Sequence, residues 1–385
     1  MTYRPIVLAL LLTISLSPGL AWSAFQVRET AKTLSMKETL DDGDVTVEVR
    51  ADGSIDLTDS LGTTSFAPRE NLKVQLLDNT REQLTINLQS VLAGSLTVLA
   101  GNGRRTIELG GGVNEVAGNL MIKTGKDSQI LRVSVAAPLS VAGNVRIDLG
   151  SGSDEVQDGA RGFEVGKNLT MMGVNAFRNY GSVHVTGNVK FAVNRERVKS
   201  VFDNESDFVV ERNFAYIGSS QDDDVFINDD MLIGGNVIAK LFDGPADSAG
   251  GQNLLCNPCT IGGNLKVSSG DTSAGGDRVV VSSASSVGKS IVLRLGEGPN
   301  RALLAGAADG GRVKYQGGSG VDELEFDLGG SAAALNAGLG DGADHLMLGA
   351  SASLRSLKVD FGDGTDVFTN ELAVLPDKTT LRNLP

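Results

Sequence analysis

Three aspartates near the C-terminal end have the types and spacing that most suggest chemistry. Asp322, Asp344 and Asp366 stand 22 residues apart, each closing a Gly-x-Gly-x-Asp turn: GGSGVDELE (Gly317–Glu325), LGDGADHLM (Leu339–Met347) and FGDGTDVFT (Phe361–Thr369). A related turn, LGSGSDEVQ, spans Leu149–Gln157. Carboxylates and turn carbonyls gathered on one edge suit Ca²⁺, a hard cation that takes about six to eight oxygen ligands. Asp341 and Asp363 add charge to the last two turns. The same pattern also makes a tight turn without metal, with Gly at positive φ and Asp bonded to its own backbone. Both readings stand at this point.

Other reactive groups are sparse. The chain holds only two histidines, His184 and His345, far apart in sequence. Two cysteines lie in CNPC, Cys256 and Cys259. A zinc site would need two more Cys or His, so a local structural disulfide is expected in an exported chain. Acidic residues cluster at Ser220–Asp224 and Asp229-Asp230, and Arg195, Arg197 and Lys199 precede them. Asp222–Asp224 with those three cations is the one combination that could imitate a lyase groove. No Ser/His/Asp set, phosphate loop or metal-binding helix motif is present.

Composition narrows the partners. The 385 residues carry a formal net charge of −13, which repels nucleic acid and anionic membranes. One Trp and four Tyr leave few rings on which a sugar could stack. Residues Met1–Ala24 have the form of a secretory signal: Arg4, then the apolar run Ile6–Leu16, too short to span a bilayer, then small residues. No membrane insertion is expected after signal cleavage, and the mature chain is expected to be secreted or extracytoplasmic, in a periplasm or at a cell surface.

The elements that must position these residues come from a repeat. Seven asparagines occupy one frame: VAGNL, VAGNV, VGKNL, VTGNV, VERNF, IGGNV and IGGNL, with Asn119, Asn144, Asn168, Asn188, Asn213, Asn236 and Asn264 in the slot. VGKSI continues it with Ser290, and LAGSL and ENL extend it backwards to Ser95 and Asn71. Forwards, Arg312, Ala334 and Ser356 hold the slot at steps of 22. A fixed period of this length marks a repeat array. After each slot comes a period-two strand, then a Gly- or Asp-rich turn, then a second alternating strand and a short third one. No helical periodicity accompanies them. Stacking such turns at ~4.8 Å makes roughly 14 rungs into a rod of about 65 Å.

This grammar resembles the right-handed parallel β-helix family, over roughly Asp44 to Asn370. The resemblance implies an all-β, single-domain solenoid. Its parts are a signal peptide at 1–24, an N-terminal cap at 25–43, the β-helix at 44–370 and a C-terminal cap or tail at 371–385. In that family an Asn at a tight turn stacks on the Asn of the next rung. Asn tolerates left-handed backbone, and its amide both donates and accepts. The asparagines then form a structural ladder; a surface row of ligand-binding amides is the other reading. The acidic turns partly resemble the haemolysin-type calcium nonapeptide, but they recur once per 22 residues, not about every nine. Asn194–Asp207 is expected to bulge as a loop. Asn168-Leu-Thr and Asn204-Glu-Ser match the N-glycosylation pattern.

The functional expectation is a non-catalytic exported scaffold with a structural, adhesive or ligand-binding role, with Ca²⁺ as its one cofactor. Its partner would be a surface polysaccharide or another surface protein. The rival is a polysaccharide lyase or glycoside hydrolase of β-helix fold.

Overall fold

The computed structural model describes residues 24–384 except 40–42, 79–81, 134–136, 160–161, 194–199, 222, 243–250, 271–275, 309–310 and 328–330. The expected signal therefore lies outside the described residues, apart from Ala24. Every regular element among the described residues is a strand.

The strands coil as a parallel β-solenoid of about eleven turns. A full turn carries three strands, as in Leu120–Lys123, Gln129–Val133 and Leu139–Val141. We call their stacks faces one, two and three. Shorter two-strand turns at the ends, such as Ser356–Asp360 with Val367–Asn370, account for the larger rung count read from the sequence. Faces two and three merge into one sheet because Asp223–Ile233 and Asn253–Ile261 run unbroken around their shared corner.

Register is set by alternation. On face one Leu96 pairs with Leu120, Leu120 with Val145, Val145 with Leu169 and Leu169 with Val189, each less than a tenth exposed. A slip of one residue would turn this whole column to solvent. Each inward Val or Leu contributes roughly 1.5–3 kcal/mol by burial. In the middle turns aromatic rings do the filling: Phe177 stacks on Phe202 at 5.2 Å and Phe191 on Tyr216 at 5.5 Å.

The N-terminal end departs from the expected outline. Only Phe25–Glu29 is a true cap, antiparallel to Thr33–Glu38, which already belongs to face one through its parallel pairing with Asn71–Gln75. On face two, Val45–Val49 is covered by an antiparallel meander, Ile55–Asp59 and Gly62–Phe66, which the repeat did not announce. Within the expected loop at 194–207, Ser200–Asn204 is a strand that buries Phe202 and pairs with Ala176–Asn179. The segment is charged in composition, but its alternate residues face inward. The expected tail includes one more face-one strand, Lys378–Arg382.

Candidate functional site

The amide ladder runs along the corner where face three turns into face one. Asn144 donates its backbone N–H and its Nδ2 to Asn119 Oδ1, at 2.8 and 3.3 Å. Asn168, Asn188, Asn213, Asn236 and Asn264 each bond the preceding asparagine in the same two ways, at 2.8–3.3 Å. Ser95 and Asn71 extend the series backwards, and Ser290 and Arg312 N–H extend it forwards. The asparagines are exposed or half-buried. None has positive φ; the non-glycine residues that do, among those described, are Asn114, Asp127 and Asn383. Their value here is therefore the amide and not the left-handed backbone expected of them. The preceding glycine allows the close approach: a Cβ on Gly143 would lie 2.4 Å from Gly118 O and 2.6 Å from Asn119 Oδ1.

A second ladder occupies the corner from face one to face two, and it is buried. Asp344 N–H donates to Asp366 Oδ1 at 2.9 Å, and Asp322 N–H to Asp344 Oδ1 at 2.8 Å. Upstream, Asn300 gives Asp322 Oδ1 both its N–H and its Nδ2, at 3.2 and 2.8 Å. Asp277 N–H bonds Asn300 Oδ1, Gln252 N–H bonds Asp277 Oδ1, and Asp223 N–H bonds Gln252 Oε1, at 2.9–3.3 Å. The same device joins Gln129 to Asp154 and Asp154 to Asn175. From Asp223 to Asp366 no member is more than 7% exposed. The glycines of the turn are equally constrained: Gly340 has φ +104°, and a Cβ there would lie 1.8 Å from Gly318 O.

Burial governs the acids. It pushes Asp322 and Asp154 up to about 7 and Asp223 to about 6, and it raises Asp344. Asp223 also bonds the Ser200 hydroxyl, which bonds the Tyr216 hydroxyl, all in the core. Asp158, stacked in register with buried Asn179 and Asn204 at the next corner, is raised to about 7 by burial.

This placement divides the five carboxylates expected to hold calcium. Asp322, Asp344 and Asp366 turn inward and spend an oxygen on a backbone N–H of the preceding turn. Asp322 Oδ2 also accepts from Gly318 N–H of its own turn, at 3.2 Å. Asp341 and Asp363 face solvent. Among the described residues no three His, Cys, Asp or Glu side chains are grouped so that they could hold a metal. Asp322, Asp344 and Asp366 each accept a backbone N–H instead. They are the last members of a longer polar ladder. Gln129, Asn175, Gln252, Asp277 and Asn300 went unnoticed in the sequence, whereas Asp154 and Asp223 were noticed only as members of acidic turns. Their signal was a polar residue just before each face-two strand, at steps of 21–29.

The remaining reactive groups are dispersed. His184 is exposed, 3.2 Å from Glu211. His345 begins a face-two strand and bonds Thr369 Oγ1 at 3.0 Å. Cys256 and Cys259 are bonded to each other and buried. Of the lyase-like set, Arg195, Arg197, Lys199 and Asp222 lie outside the described residues, Asp223 is buried in the ladder, and Asp224 accepts from Asn253 at 2.9 Å. Asn168 spends its amide in the exposed ladder, and Asn204 is fully buried.

The outward side of face two carries an extended polar surface network. Gln83 Nε2 bonds Glu108 at 2.9 Å, and Arg132 reaches Glu108 and Gln157 at 3.3 and 3.4 Å. Gln157 bonds Glu155 at 2.9 Å, and Glu155 pairs with Arg178. These side chains come from five successive turns. A shallow groove of about 600 Å³, lined by Gln83, Arg104, Thr106, Ser128 and Glu155, runs beside them. No protein-family model, curated protein or solved structure matches the chain.

Proposed function

We propose that the protein is an exported, non-catalytic rod that holds a polar strip for a polymeric ligand, a surface polysaccharide or an extended segment of another surface protein. The network from Gln83 to Arg178 carries this reading. Backbone pairing repeats its donors and acceptors every ~4.8 Å along the rod. Side chains locked by one another lose little freedom when a ligand arrives, which favours recognition on a flat surface. The net charge of −13 favours neutral or cationic partners over nucleic acid. Calcium has no part in this reading, because the acidic turns serve the ladder. Export rests on the signal-like start of the chain.

The test is binding of the purified mature chain to a panel of neutral and charged polysaccharides, followed by electrophoresis through polymer-containing gels. Arg132→Glu with Gln157→Ala is expected to abolish retardation while leaving circular dichroism unchanged. Depolymerisation of any of these polymers would replace the scaffold reading with an enzymatic one. Equal retardation of the variant would remove the strip from it.

A further inference from the structure

The net charge of −13 hides an uneven distribution. Four successive strands of face one, Val237–Lys240, Leu265–Ser268, Ile291–Arg294 and Arg312–Gln316, read VIAK, LKVS, IVLR and RVKYQ. They carry five cations and no carboxylate. Parallel register sets Lys240, Ser268 and Arg294 in one outward column, and Lys266, Val292 and Lys314 in the column beside it. Each of the four turns thus presents one cation in these columns, on alternate sides. The stagger keeps like charges from standing directly opposite, where they would be destabilising. At ~4.8 Å per turn the zigzag is about 14 Å long. Lys289 and Arg312 add two cations at the adjoining ladder corner. All six side chains are exposed, and none forms an ion pair among the described residues.

The amide ladder borders this row. Asn236 and Asn264 stand two residues before Ile238 and Lys266, on the same side of the sheet. Each Nδ2 carries two hydrogens and gives one to the preceding amide, at 2.9 and 2.8 Å, which leaves the second for a ligand. The carboxylates on the other faces do not cancel the row for a ligand in contact with it. Packed sheets lie ~10 Å apart, and charge is screened over ~8 Å at physiological salt.

We propose that this row binds a linear acidic polysaccharide, one that carries carboxylate or sulfate groups along an extended chain. A thread of this kind touches face one alone. Its acidic groups meet the cations, and its hydroxyls meet the amides. Lysine predominates in the row, and its flexible point charge suits anionic groups of varied spacing. Single-stranded nucleic acid would need rings for its bases to stack on, and the only aromatic side chain on these four strands, Tyr315, is buried. A bilayer would need a second anchor beside the charge, and the only large apolar side chain exposed on them is Ile238, at 38%. The row is separate from the strip on face two and does not depend on it.

The experiment is calorimetric titration of the mature chain with polygalacturonate and with heparin, repeated at rising salt. Both are expected to bind at ~50 mM salt, with an affinity that falls steeply as salt is added. Lys240→Glu with Lys266→Glu and Lys314→Glu alters only exposed side chains; it should keep the circular dichroism and weaken binding by roughly tenfold or more. Arg28→Glu with Lys126→Glu and Arg278→Glu changes the net charge equally, away from the row, and should weaken it far less. Acidic polymers held by face one would also hold the Arg132→Glu, Gln157→Ala variant, so neutral polymers alone report on the strip. Absence of binding to both acidic polymers at low salt would overturn the proposal. So would equal losses in the two triple variants, or binding to phosphatidylglycerol vesicles or a single-stranded oligonucleotide that exceeds binding to either polysaccharide.

Discussion

The amide ladder and the acidic ladder perform the same task at two corners of one rod, and they differ in direction and in surroundings. In the first, each turn's N–H donates to the side chain of the turn before; in the second, to the side chain of the turn after. The first corner is open to water, and a neutral amide suffices there: Asn accepts the neighbour's N–H and donates onward. The second corner is dry and crowded with donors. Asp322 accepts from Asn300 N–H, Asn300 Nδ2 and Gly318 N–H, a set for which an acceptor-only side chain is the better match. The comparison teaches that the side chain chosen follows the donors it must satisfy, and that burial then decides how much its loss costs and how it titrates.

The sharpest way to break this comparison is to delete one member of each ladder. Asp322→Ala strands three donors in a buried corner, and at about 1–3 kcal/mol per unsatisfied group the expected cost is roughly 3–9 kcal/mol. Asn188→Ala exposes its neighbours to water instead and should cost no more than ~1 kcal/mol. Urea unfolding of both variants would show this, and equal losses would mean that burial does not separate the two corners.

The next effect is one of pH, and it belongs to the buried corner alone. Asp322 and Asp154 are raised from 3.8 to about 7, and Asp223 to about 6, so each binds a proton more tightly in the folded chain. A raised carboxyl contributes stability that is complete below its unfolded value and is lost as pH rises through its folded value. The urea midpoint should therefore fall between about pH 4 and about pH 7. Asp322→Asn should flatten part of that slope, whereas Asn188→Asp, in the open corner, should add none. A midpoint that rises over this interval would contradict the burial argument.

Smaller effects sharpen the same contrast. Reducing the Cys256–Cys259 bond opens a very short loop and should lower stability by at most ~2 kcal/mol, read as a shift in the urea midpoint. The smallest expected effect is that of Ca²⁺. Because the acidic turns bind backbone N–H groups, the melting temperature should not change between chelator and added Ca²⁺. A rise that disappears in Asp344→Ala with Asp366→Ala would restore the metal reading.

Much of the architecture could be read in the chain before it was folded. Period-two alternation named the inward residues, as in Leu120 and Ile122. The recurring frame placed the asparagines one turn apart, because a solenoid converts a fixed sequence step into a fixed spatial one. The antiparallel meander over Val45–Val49 and the strand Ser200–Asn204 escaped notice, because neither carries the frame and the second lies in charged sequence. The inner ladder as a continuous series escaped for another reason, although its aspartates drew attention as acidic turns. Gln, Asp and Asn share that slot, so no single residue type marks it.

Sequence by itself therefore determined the coil, its period and the axis along which like residues stack, since hydrophobic alternation and turn spacing are local properties. Tertiary structure alone decided which corner is wet and which is dry. The depth of a side chain depends on all the turns around it, and depth is what makes Asp344 a buried acceptor for its neighbour's N–H while Asp341, three residues earlier, faces solvent.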